Sequence, residues 1–153
     1  MSGPAFDALA RASVDFETVR HGPVRSVAEA AEVRGVAVAD VVKTIVVRRD
    51  KDDYLFVLVP GDRVISWPKL RGLLGVSRLS MPDAATAKEA TGYERGTITP
   101  FGSTRPWPVI ADERMRGRRI TLGTGQHGVA VAVDADAALG ALLGSYADVT
   151  DAS

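Results

Sequence analysis

Phe6, Leu9 and Ala10 recur at i, i+3 and i+4 behind Pro4, and this spacing predicts a helix over roughly residues 4 to 13. A short strand follows from Asp15 to Arg20. Ser26 with Glu29 three residues on reads as a capping box, and Gly35 stops the run as a C-terminal cap, which predicts a second helix. The β-branched run Val41–Val47 and the apolar run Tyr54–Val59 flank the polar turn Asp50-Lys51-Asp52-Asp53, so the pair reads as a hairpin. Pro60-Gly61-Asp62 breaks the second strand. Leu70, Leu73 and Leu74 then mark a short helix ended by Gly75, and another runs from Asp83 to Thr91 and ends at Gly92. From Gly92 to Pro108 neither a period of 2 nor one of 3.6 survives, so this stretch is expected to be a long shaped loop. Val109–Ala111, Arg119–Leu122 and Val129–Val133 read as strands, and Asp134 opens a last small-residue helix. Hairpins interleaved with single helices predict an α+β fold: one compact domain over residues 1–153, with a mixed, mostly antiparallel twisted sheet flanked by helices.

One residue breaks the apolar pattern. Strand alternation puts Lys43 on the face of Val41, Ile45 and Val47, while the other face holds Val42, Thr44 and Val46. Both faces are apolar, so a charge there needs a reason. One reason is a pocket, where a dry ammonium grips a phosphate or carboxylate or polarises an ester carbonyl. The other is a lysine near a strand end that reaches water along its own stem. The pattern alone leaves the two even.

Charge and composition remove several classes. Lys plus Arg and Asp plus Glu stand at 19 each, so no global field announces a nucleic-acid partner, and any such binding must use local patches. Cysteine is absent, which excludes disulfides and thiolate chemistry. The first residues hold acids and no long apolar run, so a soluble cytoplasmic protein with no membrane anchor is the expectation. His21 and His127 have no carboxylates at metal-ligand spacing, and neither a metal nor another cofactor is expected. Gly123-Thr124-Gly125-Gln126-His127-Gly128 spells a dinucleotide fingerprint, yet Gly128 runs into the strand pattern Val129–Val133 rather than a helix, so it reads as a hairpin turn. Gly96 and Pro100 bracket three residues inside the long loop. Such a bracket either presents N–H groups to an oxyanion or is an ordinary rigid turn. Asp112 ends a strand run, as a turn residue or a ligand contact. Arg48, Arg49 and Lys51, and Arg114, Arg116, Arg118 and Arg119, form basic clusters at hairpin tips.

In chain order, His21, Val27-Ala28-Glu29-Ala30-Ala31, Val41–Ile45, Val59-Pro60-Gly61-Asp62, Thr91-Gly92-Tyr93, Gly96–Gly102 and Gly123–Gly128 resemble the YbaK/prolyl-tRNA synthetase-associated family. The similarity spans roughly residues 15 to 145, and its most specific parts are the lysine strand and Thr91-Gly92-Tyr93 leading into Gly96–Gly102. The resemblance implies hydrolysis, in trans and without a metal, of the ester joining an amino acid to the 3′-terminal adenosine of a mischarged tRNA. It implies aminoacyl-tRNA, through its 3′ acceptor end, and a prolyl-tRNA synthetase as partners. Carried over, Lys43, Gly96 and Pro100 are the catalytic positions. His21, Thr44, Thr97, Ile98, Thr99, Phe101, Gly102, Asp112, Thr124 and Gly125 are expected to complete the substrate site. Relatives often carry a second glycine and a serine where this loop has Thr97 and Thr99, which leaves cysteine, alanine, serine and threonine all open as the amino acid removed. The reading from a different class is a non-catalytic module that holds an aminoacyl or nucleotide end and regulates a synthetase.

Overall fold

The computed structural model describes residues 3–153. Helix α1 (Pro4–Arg11) starts with proline in its first turn and ends two residues before the expected boundary, because Ser13 turns to φ 56. Strand β1 (Phe16–Arg20) leads to α2 (Val27–Arg34). There the Ser26 hydroxyl accepts from the Glu29 N–H and Gly35 adopts the left-handed conformation, as the capping signals predict. The hairpin is β2 (Lys43–Asp50) with β3 (Asp53–Val59). After β4 (Arg63–Ile65), α3 (Trp67–Leu74) and α4 (Ala84–Thr91) are capped by Ser66 and Asp83. Then come β5 (Val109–Asp112), β6 (Arg119–Gly123), β7 (Val129–Asp134) and α5 (Ala135–Ala141), with β8 (Ser145–Ala147) and β9 (Thr150–Ala152) last. No helix among the described residues is long and apolar enough to cross a membrane.

The strands form three sheets, in the orders β1-β7-β6, β2-β3-β5-β8 and β4-β9. Pairing is antiparallel except between β3 and β5 and between β5 and β8, so the fold is α+β with a mixed arrangement. The β4, β8 and β9 strands escape the sequence pattern because each is three residues long. An alternation that short cannot be told from a turn.

The β2–β3 hairpin is apolar on both faces because both are covered. Val42, Val46, Tyr54, Phe56 and Leu58 join the main core with α1, Ile120, Leu122 and Val133. Val47, Leu55, Val57 and Val59 pack with Leu70 of α3, Ile110 and Val149 on the other side. β2 is nevertheless the edge of its sheet. Just before it, Val41 bridges to Thr121, and the Val42 N–H donates to the Thr121 carbonyl at 3.1 Å, so a backbone bridge joins the two larger sheets here.

The irregular stretch between α4 and β5 is held by side chains rather than by a ladder. Trp107 Nε1 and Thr104 Oγ1 both donate to the Ala90 carbonyl, at 2.8 and 3.2 Å. The Trp107 ring meets Tyr54 edge-on at 5.2 Å, and the buried Tyr93 hydroxyl donates to the Phe101 carbonyl at 2.7 Å. These bonds satisfy backbone groups that no regular structure would otherwise satisfy.

Candidate active site

Beyond the Val41–Thr121 junction a cavity of about 560 Å³ opens against the edge of β2. Val42 to Val46 form one wall, Met81 to Ala84 another, and Arg95, Gly96, Ile98 and Gly123 the third, with Arg34 also on the lining. A second cavity, of about 610 Å³, adjoins it and shares Arg34, Arg95, Gly96 and Gly123. Its remaining walls include His21 to Val24, Thr97 and Gln126 to Val129.

Lys43 lines the first cavity as the first residue of β2. Its Nζ donates to the Arg63 carbonyl at 2.7 Å, a bond that fixes the ammonium beside the Pro60-Gly61-Asp62 turn. Partial burial lowers its pKa, and Asp62 offsets part of that effect. The charge is thus held in partly dehydrated surroundings, where it acts more strongly on a nearby carbonyl or phosphate than it would in water. Beside it, the buried Thr44 hydroxyl has no partner among the described residues.

Gly96 stands at φ +89, a left-handed conformation that costs other residues, and open space lies where a side chain would project. It contributes bare backbone to the wall between the cavities. Behind it the loop is anchored: Thr97 donates from both its N–H and its hydroxyl to the Glu94 carbonyl, at 3.0 and 2.7 Å. A Cβ at Gly123 would come within 3.1 Å of the Thr97 carbonyl and 3.3 Å of the Ile98 carbonyl. The missing side chain therefore lets β6 lie directly under the loop. Residues 123–128 link β6 to β7 as an antiparallel hairpin, so the apparent dinucleotide fingerprint is turn chemistry.

The expected site residues separate into two groups. Lys43, Thr44, Gly96 and Ile98 line the first cavity, and His21, Gly96 and Thr97 the second. Thr99, Pro100, Phe101, Gly102, Thr124 and Gly125 line neither. Thr99, Pro100, Phe101 and Thr124 are buried behind the wall, where Thr124 Oγ1 donates to the Val129 carbonyl at 2.9 Å. Gly102 packs against the backbone of Pro4 and Ala5.

Asp112 is a clear departure from the expected substrate site. It is fully buried at the end of β5, accepts from Thr150 Oγ1 at 2.7 Å, and caps the turn Glu113–Met115 through the Arg114 N–H. Its carboxylate also pairs with the Arg114 guanidinium at 3.2 Å. The turn alternative holds for this residue, because its partners lie on the strands and turn around it.

Arg34, Arg95 and Met81-Pro82-Asp83 line the cavities without having been expected there. An arginine in the last helical turn before a capping glycine is the usual complement to the helix dipole, so nothing in its sequence position marks Arg34. Asp83 is held below the usual carboxylate range by the Thr86 N–H that it accepts as the cap of α4. At the rim of the second cavity His127 Nε2 lies 3.2 Å from Glu94, whose carboxyl is lowered by that contact and by Lys88.

This geometry coincides with a family match. Residues 21–139 match the aminoacyl-tRNA editing domain, and the chain belongs to that family. Among its relatives, it is 26% identical over 121 residues to the Enterococcus faecalis protein named "Putative Cys-tRNA(Pro)/Cys-tRNA(Cys) deacylase EbsC", covering 78% of this chain and 74% of that protein. It is 34% identical over 105 residues to the proline–tRNA ligase of Heliobacterium modesticaldum, covering 68% of this chain but only 18% of the ligase. A crystal structure described as "a putative trans-editing enzyme for prolyl tRNA synthetase" shares the fold, with a TM-score of 0.87, 23% identity and 99% of each chain covered. The structure of a hypothetical protein superposes at a TM-score of 0.89, with 22% identity over 97% of this chain and 100% of the other.

Proposed function

We propose that this protein is an aminoacyl-tRNA deacylase that acts in trans in the cytoplasm, hydrolysing the ester between a small amino acid and the 3′-terminal adenosine of mischarged tRNA. The carrying observation is that Lys43, a partly dehydrated lysine, lines a cavity large enough for an aminoacylated nucleoside, in a chain of the editing-domain family. An aminoacyl ester is already activated. Hydrolysis therefore needs a positioned water and stabilisation of the tetrahedral oxyanion more than it needs a covalent nucleophile. Water adds to the acyl carbon, the bond from that carbon to the ribose oxygen breaks, and free amino acid and uncharged tRNA leave.

In this reading Lys43 supplies positive charge at the ester or terminal nucleotide. Backbone at Gly96 orients the carbonyl, and the unpartnered Thr44 hydroxyl meets a polar group of the substrate. Pro100, Thr99 and Thr124 act from behind, as the rigid support of the loop. The names of the relatives favour tRNA for proline as the substrate and a prolyl-tRNA synthetase as the protein whose errors are corrected.

The test incubates purified protein with a panel of charged tRNAs, cysteinyl-, alanyl-, seryl- and threonyl-tRNA for proline among them, beside a Lys43→Ala variant. Faster hydrolysis of at least one member than in buffer is expected, and the variant should lose it. No acceleration on any member, or an equally active variant, would leave the non-catalytic binding module as the better account.

A further inference from the structure

Arg34 is the last residue of α2, yet its head group turns inward. Nη1 donates to Thr121 Oγ1 at 3.0 Å, and that hydroxyl in turn lies 3.4 Å from the Asp40 carbonyl. Nε is buried and has no partner, and no carboxylate pairs with the guanidinium among the described residues. A charge that serves only the helix dipole would keep its head group in water. A half-buried guanidinium with no carboxylate beside it carries a desolvation cost that an arriving anion offsets. Burial lowers its pKa, in keeping with that cost.

Its position says which anion. Arg34 stands on the wall common to the two cavities, with Arg95 exposed at the same wall. Each cavity is of a size to take one nucleoside unit. Two nucleosides in adjoining cavities are joined by one phosphodiester, and the planar fork of a guanidinium matches phosphate oxygens. In the second cavity His21 Nδ1 is engaged with the Gly22 carbonyl at 2.7 Å, while Nε2 has no partner among the described residues.

We propose that Arg34, with Arg95 beside it, binds the phosphodiester between the last two nucleotides of the substrate. The aminoacylated terminal nucleoside then occupies the Lys43 cavity, and the penultimate nucleotide occupies the His21 cavity. This rests on the deacylase reading for its substrate. It adds a second nucleotide subsite and the residue that holds the link between the two.

The experiment uses two substrates with the same amino acid, 3′-aminoacyl-adenosine and 3′-aminoacyl cytidylyl-adenosine, which differ by one phosphodiester and one nucleoside. The wild type is expected to hydrolyse the dinucleotide with the higher kcat/KM. Arg34→Gln should lose roughly 10- to 100-fold on the dinucleotide, the range for a hydrogen bond to a charged group, and distinctly less on the adenosine ester, which carries no phosphate. Arg34→Lys should recover part of the loss. A parallel calorimetric titration compares unacylated cytidylyl-adenosine with adenosine. The wild type should bind the dinucleotide more tightly, and Arg34→Gln should abolish the difference. Equal losses on both esters, or no preference for the dinucleotide in either assay, would overturn the proposal. Failure to cleave any ester while the Arg34-dependent binding preference persists would sink the deacylase reading and leave the phosphate site standing.

Discussion

The Gly125 N–H donates to the Thr97 carbonyl at 2.8 Å, and this bond ties the loop at Gly96 to the turn between β6 and β7. Gly125 sits at φ +82, and a Cβ there would fall 2.3 Å from the Tyr93 ring. Gly125→Ala should therefore strain the backbone by about 1–2 kcal/mol and displace either the ring or the turn. The expected outcome is a lower denaturation midpoint together with a fall in deacylation, because the loop loses its anchor. A variant with full activity and unchanged stability would show that the loop is positioned by other contacts.

With the role proposed for it, the Lys43 ammonium should give the reaction a pH signature. Burial lowers its pKa below the ordinary 10.5, so catalysis that needs the charged form should decline as pH rises through that lowered value. Enzymatic rates, corrected for hydrolysis in buffer, should show this alkaline limb, and a Lys43→Met variant should lack it. Loss of the charge should cost on the order of 100- to 1000-fold in rate, as for other electrostatic contacts to a developing oxyanion. Stability runs the other way. Between the lowered folded value and the unfolded one the unfolded chain binds more protons, so stability rises with pH in that window. Lys43→Met should accordingly melt no lower than the wild type at neutral pH.

Tyr93 predicts a second pH effect, on stability alone. Burial raises its phenol to about 12, against 10.0 for an exposed one. The folded state holds the neutral form, so its contribution is fully present below pH 10 and is lost as pH rises toward 12. Absorbance titration of the phenolate should show one group near 12 that disappears in Tyr93→Phe. That variant should also lose about 1–2 kcal/mol, because the Phe101 carbonyl is left without its donor.

Asp112→Ala should separate structure from catalysis. It removes the acceptor for Thr150 Oγ1 and for the Arg114 N–H, a loss of about 2–3 kcal/mol for hydrogen bonds to a buried charged acceptor, while the exposed Arg114 guanidinium keeps Asp148 as its partner. Equilibrium unfolding in urea measures it. At a temperature where the variant remains folded, its rate of deacylation should match the wild type. A stable but inactive Asp112→Ala would return the residue to the substrate site.

Much of the secondary structure is legible in the chain because its signals are local. Ser26 with Gly35 and Asp83 with Gly92 set helix ends through bonds to residues three or four positions away, and the apolar faces of β2 and β3 announce two-sided burial. Lys43 stands out for the same reason, as a charge inside that pattern. The parallel pairing of β3 with β5 is not legible, since it joins residues separated by an α-helical and loop excursion of some fifty positions.

The sequence by itself determined the class of fold, the odd lysine and the loop with its bracketing glycine and proline, all carried by periodicity, caps and backbone conformation. Only the tertiary structure decided which residues face a cavity. Thr99, Phe101 and Thr124 belong to the same sequence segments as Gly96 and Gly123, yet they turn into the core, whereas Arg34, an unremarkable helix-end arginine, turns toward the shared wall. Alternation and spacing fix which side chains share a face. Which face meets open space depends on the Val41–Thr121 junction, where strands eighty positions apart are brought together.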